Sequence, residues 1–199
     1  MSKTDTFKSI DDIVLDLEFN DIFELEYIQK LQTSFTDAFG ISSLITDTKG
    51  NNITQTSNYC HLCKDIISKS QKGAHDCRHM ELLLSRHHNE GAFLRECGNS
   101  GLWEAGVNIN VGGKHIGNWI LGQIQIDYKY DSQLKVYANN LGVNQEEFTV
   151  ALFDVPIMTM ERFKSITNML YLFINGITDN AYKTLQLKKY IIDKEGLTD

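Results

Sequence analysis

The stretch Gly106-Val107-Asn108-Ile109-Asn110-Val111-Gly112-Gly113, followed by Lys114-His115-Ile116-Gly117-Asn118-Trp119-Ile120-Leu121-Gly122-Gln123, decides the fold. Its first six residues alternate apolar and polar, the period of a half-buried strand. Gly112-Gly113 supplies the positive φ angles of a tight hairpin turn. Lys114 to Tyr128 then reads as a long partner strand rich in Ile and Trp. Gly117 and Gly122 within it mark bends or close backbone approach.

Upstream, Leu25, Ile28, Leu31, Phe35 and Phe39 recur at spacings of three and four, which predicts one helix over 21–39 ending at Gly40. Ile41 to Thr46 reads as a strand, Asp47-Thr48-Lys49-Gly50 as a turn, and Asn51 to Thr56 as the returning strand. Helical pattern resumes over 64–70 and 75–89. Downstream, 131–140 and 145–153 read as helices. After Pro156, the single proline of the chain, a long helix is expected from about Met160 to Ile192. Phe163, Leu170, Ile177 and Ile191 fall on one heptad row, and Ile166, Phe173 and Leu187 on its companion. That helix either packs on its own domain or pairs with a second copy. The order helix, short hairpin, helices, long hairpin, helix predicts an α+β fold: a PAS/GAF-like antiparallel sheet with flanking helices and a long C-terminal helix.

The 199 residues suffice for a core that needs no metal or disulfide to fold. A net charge of −7 argues against a nucleic-acid-binding surface. The N-terminus MSKTDTFKSIDD lacks the apolar core of a signal peptide, and no run of about 18 apolar residues offers a membrane span. A cytoplasmic location is expected, where clustered cysteines are more often metal ligands or redox centres than disulfides.

All four cysteines, Cys60, Cys63, Cys77 and Cys97, fall within one 38-residue window. The C-x-x-C pair plus two later cysteines is compatible with a tetrahedral thiolate site for zinc, with an Fe–S cluster, with a thiol–disulfide switch, or with plain core packing. Lys64, Arg78 and Arg95 stand beside the cysteines where a second shell would compensate thiolate charge. His61, His75 and His79 are alternative ligands.

Thr46-Asp47-Thr48-Lys49-Gly50, Ser57-Asn58-Tyr59, Cys63 and Gly73…Cys77 resemble motifs of a known family. So do Cys97-x-x-x-Gly101-Leu102-Trp103, Gly113-x-His115 and Trp119-x-x-Gly122-Gln123. Together they resemble the PocR-type sensory domain of bacterial sensor kinases and AraC-type regulators, from about Leu25 to Leu187. The resemblance implies a PAS-related module that binds a small organic effector, with short diols as the proposed class. It also implies coupling to a kinase or regulator output. Divided accordingly, 1–20 is a mobile N-terminus, 21–158 the sensory domain and 159–199 a signalling or dimerisation helix, with a homodimer expected.

A ligand pocket is expected around the second hairpin. Tyr59, Phe93, Trp103 and Trp119 are its candidate walls, and Glu104, Asn118 and Gln123 its candidate hydrogen-bonding groups. The tryptophans are equally compatible with core packing, and Glu104 and Gln123 with a solvated face. No nucleophile elbow, P-loop, H-E-x-x-H or dinucleotide fingerprint occurs, so the chain is not expected to be an enzyme. The alternative function is a redox or metal sensor in which the cysteine cluster is itself the input.

Overall fold

The computed structural model describes residues 9–88, 91–97, 100–126 and 132–195. The helices are α1 (Ile10–Asp16), α2 (Phe19–Ile22), α3 (Leu25–Phe39), α4 (Gln71–Leu84), α5 (Ser132–Leu141), α6 (Gln145–Phe153) and α7 (Met160–Glu195). The strands are β1 (Ser42–Thr46), β2 (Ala92–Cys97), β3 (Leu102–Val111), β4 (Lys114–Ile126) and β5 (Ile157–Met158). A π-helical turn, Leu62–Ile67, precedes α4.

The four longer strands form an antiparallel sheet in the order β1-β4-β3-β2. The short β5 pairs parallel with the end of β4, continuing the edge that β1 leaves at Gly122. The α+β expectation holds, long C-terminal helix included. The β3–β4 hairpin turns at Gly112-Gly113 with φ of 56° and 84°, the positive pair that a two-residue hairpin loop requires.

One face of the sheet carries Val107, Ile109, Trp119, Leu121 and Ile124. It packs against Ile28 of α3 and against Phe163, Ile166, Leu170 and Ile174 of α7. The other face is covered by the π-turn and by α4, α5 and α6. The central strands are therefore buried on both sides, not half-buried as the alternation predicts. Their outward polar residues are consumed by protein: Asn118 Nδ2 donates to Ser85 O (2.7 Å) and Asn108 Nδ2 to His88 O (2.6 Å), while Thr46 Oγ1 bonds Ser85 Oγ (2.8 Å). These three side chains lie in one cross-strand row. They satisfy carbonyl and hydroxyl groups at and beyond the end of α4, which would otherwise be orphaned in a dry contact.

Local expectations differ from the structure at several further points. The helix expected over 21–39 is two, α2 and α3, separated at Phe23-Glu24, where extended backbone lets Phe23 stack on Phe19 (4.7 Å between rings) in the core. Asn51 to Thr56 returns beside β1 but forms no ladder. It makes isolated bridges at Thr46–Asn52 and Ser43–Ser57, and Thr54 Oγ1 takes the N–H of Ile45 at 2.9 Å, where a strand would offer a carbonyl. The heptad rows on α7 divide: Phe163, Ile166 and Leu170 face the domain's own sheet, whereas Phe173, Leu187 and Ile191 are exposed. In the segment expected to be mobile, residues 1–8 lie outside the described residues, and Val14, Leu17 and Phe19 are buried in the main core. Tyr128, the expected end of β4, also lies outside the described residues, and the helix expected over 75–89 is α4, which begins at Gln71 and ends at Leu84. Among the described residues, no helix is long and apolar enough to cross a membrane.

Candidate functional site

A cavity of about 240 Å³ opens between the helical cover and the second face of the sheet. Glu104 of β3 and Gln123 of β4 form its floor, and Cys63, Cys77, Met80 and Tyr59 stand over it. Cys97 at the end of β2 and Tyr137 of α5 close one side; Thr56, Lys64 and Ser68, all exposed, mark the rim.

The floor exists because β4 carries one residue more than β3 at this point. Trp103 pairs with Ile124 and Glu104 with Gly122, so Gln123 is the extra residue of a β-bulge. Gln123 adopts φ 54°, one of two non-glycine residues with positive φ among the described residues, and Gly122 sits at φ 149°. A Cβ on Gly122 would lie 2.6 Å from both Glu104 Cα and Trp103 O. The bulge re-aims Gln123 into the cavity, where its Oε1 accepts the N–H of Cys60 at 2.9 Å and ties the C-x-x-C segment to the sheet. Gly73 performs a parallel service on the helical side. A Cβ there would meet Ile67 O at 2.0 Å, so only glycine lets α4 begin directly against the π-turn and bring Cys77 over the cavity one turn later.

Of the seven residues expected to bind ligand, Tyr59, Glu104 and Gln123 line the cavity and Phe93, Trp103, Asn118 and Trp119 do not. Trp103 and Trp119 point to the opposite face of the sheet, into or against the main core. Trp119 Nε1–H donates to Ser43 Oγ at 2.6 Å, and its ring centre lies 6.0 Å from that of Phe35. Asn118 bonds Ser85 and His115, and Phe93 stacks on His88 with 4.0 Å between rings. Sequence reasoning missed Tyr137 and Met80. The spacing Leu134, Tyr137, Ala138, Leu141 on α5 carried the signal for an inward-facing tyrosine; all four are buried.

The four cysteines are free thiols that pack against the same apolar cluster, and Cys63, Cys77 and Cys97 reach the cavity. Cys60 and Cys63 hydrogen-bond to each other, which holds the Cys60 thiol below its ordinary pKa and, with burial, pushes Cys63 well above it. Burial pushes Cys77 up to about 12 and raises Cys97 further. Among the described residues, no three His, Cys, Asp or Glu side chains are grouped to hold a metal ion. As arranged here, the thiols do not fit a four-thiolate zinc or Fe–S site. Nor do the other expected members converge: His61, His75, His79, Lys64 and Arg95 are exposed, and Arg78 is turned outward to Gly50 O and Glu81.

The half-buried carboxyl of Glu104 makes no hydrogen bond or ion pair among the described residues and faces the cavity. Burial first, then the neighbouring charges of Glu81 and Cys60, push its carboxyl up to about 8. A carboxyl raised from its unfolded value near 4.5 binds more protons folded than unfolded, so it lowers stability as pH rises between those two values. Glu104→Gln is therefore expected to be more stable than wild type at pH 8, with the advantage shrinking to nothing near pH 4.5. Melting temperatures of both proteins across this range check it.

No curated protein and no solved structure gives a significant match to this chain. The model of one family, described as the sensory domain found in PocR, matches residues 21–182. That span runs from α2 through most of α7 and includes every residue lining the cavity. The chain therefore belongs to the PocR sensory-domain family.

Proposed function

We propose that this domain senses a small organic molecule, a short diol or similar effector, held in the cavity between β3, β4 and the helical cover. The observation that carries this reading is the bulge at Gly122-Gln123. It places an amide and a carboxyl, Gln123 and Glu104, on the floor of a pocket whose walls include three thiols, two tyrosines and Met80. A few fixed polar groups in an apolar concavity are what orient a small ligand.

The same strand offers a route outward. Two residues past Gln123, Gln125 donates its N–H to Pro156 O (2.8 Å) and its side-chain amide to Leu152 O (2.9 Å), and β5 pairs here one residue before Thr159 and α7. A ligand that shifts the bulge would shift the start of α7, whose far half carries exposed Leu187, Tyr190, Ile191 and Ile192 for a second copy or an output partner. Effector and α7 would then be coupled through one continuous strand.

A saturating effector is expected to raise the melting temperature, because it binds only the folded form. At one hundred times Kd the gain is roughly 2.7 kcal/mol, or about 5–10 °C for a chain of this size. The measurement is a thermal-shift panel of diols, alcohols and related metabolites, with native mass spectrometry to identify bound species. Gln123→Ala should lose the response. No shift with any compound would refute the reading.

The hydrogen bond between Cys60 and Cys63 favours a second reading, a redox input at the C-x-x-C pair. Response to peroxide or chelator with no response to any organic compound would select it, and the mass spectrum also reports any zinc or iron.

A further inference from the structure

The charge inside the cavity narrows the effector class, and this inference rests on the pocket reading above. Three carboxyl groups line the pocket: Asp76, Glu81 and Glu104. Asp76 is paired with Lys72 at 3.1 Å and Glu81 with Arg78 at 3.6 Å. Glu104, on the floor, has no such partner among the described residues. The one lysine of the lining, Lys64, is an exposed residue at the rim. A carboxyl that faces a cavity without a cation or donor keeps its proton, and a cationic ligand stabilises the ionised form. The walls suit an organic cation too. The rings of Tyr59 and Tyr137 and the polarizable sulfurs of Met80, Cys63 and Cys77 are soft, electron-rich surfaces. An anionic ligand would meet Glu104 and Glu81 at close range in a low-dielectric space.

We propose that the effector of this chain is a small organic cation, a primary alkylammonium that carries a second polar group, with its ammonium on Glu104 and its polar end toward Gln123. A neutral diol of the same skeleton fills the same space but offers Glu104 only a neutral donor. Charge-assisted hydrogen bonds are roughly twice as strong as neutral ones, so the preference is expected to be on the order of tenfold in half-saturating concentration.

Three compounds of one skeleton test it: 3-aminopropan-1-ol, propane-1,3-diol and 3-hydroxypropanoate. They are compared by thermal shift and by isothermal titration on the full chain at pH 9, where the Glu104 carboxyl is ionised and an alkylammonium keeps most of its charge. The amino alcohol is expected to bind about tenfold more tightly than the diol, and the hydroxy acid to give no response. In Glu104→Gln the affinities for the amino alcohol and the diol should converge to within about twofold. Equal or tighter binding of the diol by wild type overturns the proposal and leaves the pocket reading standing. So does a preference for the amine that survives in Glu104→Gln. Absence of any response to the amino alcohol overturns it as well; if no compound of the wider panel responds either, the pocket reading falls with it. The wild-type comparison alone decides should the variant fail to fold.

Discussion

Gly122→Ala is expected to destabilise the domain by roughly 2–5 kcal/mol and to abolish any response to ligand. Two independent costs meet at this position. At φ 149° the backbone is in a region that side chains rarely adopt. The new Cβ would also sit 2.6 Å from two backbone atoms of β3, Glu104 Cα and Trp103 O, and neither can swing aside as a flexible side chain would. Relief requires the strands to part or the bulge to slip. A slip returns Gln123 to the ladder, withdraws its Oε1 from the Cys60 N–H and releases the C-x-x-C segment from the sheet. Gly113→Ala is the control, since its φ of 84° is also one that side chains rarely adopt but a Cβ there meets nothing within 4 Å. It should cost about 1 kcal/mol and leave ligand response intact. Urea unfolding and thermal shift of the two variants check the pair. A Gly122→Ala protein as stable as wild type would show that the bulge does not depend on this glycine.

The contrast between these two glycines shows how far the sequence was legible. Gly112-Gly113 between two alternating runs announces a hairpin by local chemistry alone, and β3 and β4 follow. The helical periods of α3, α5, α6 and α7 were readable for the same reason, because each buries one stripe. Gly122 carried only the weaker message of a bend or close approach. That it is a bulge, and that the bulge builds a pocket floor, depends on which residue of β3 lies opposite. The returning segment after β1 misled because Asn51 to Thr56 alternates like a strand, yet the side chain of Thr54 takes the place of a ladder carbonyl. Of the four cysteines grouped by their short window, three reach one cavity. Their grouping alone could not distinguish the wall of a cavity from a metal site, since both need the sulfurs on one side of the chain.

Trp119→Ala is expected to cost about 3–5 kcal/mol, while Trp119→Phe should cost no more than about 2 kcal/mol and leave ligand response unchanged. The sequence left this tryptophan as a candidate pocket wall or a core residue, and only in the first case would its loss remove binding without harming the fold. In the structure the ring is fully buried on the opposite face of β4, among the main core residues that bind the sheet to α3 and α7. Alanine there leaves a large void between sheet and helices. It also removes the donor to Ser43 Oγ, a hydroxyl that in turn donates to Ile120 O at 3.0 Å. Phenylalanine keeps most of the volume and loses only the indole N–H, and Ser43 retains its bond to the Ile120 carbonyl. Because Gln123 and Glu104 lie on the other side of the sheet, the half-saturating ligand concentration for Trp119→Phe should match that of wild type. Thermal melts with and without effector measure both quantities on one sample. Loss of the ligand response in a well-folded Trp119→Phe protein would place the effector on the α7 side of the sheet and remove the cavity between β3, β4 and the helical cover from consideration.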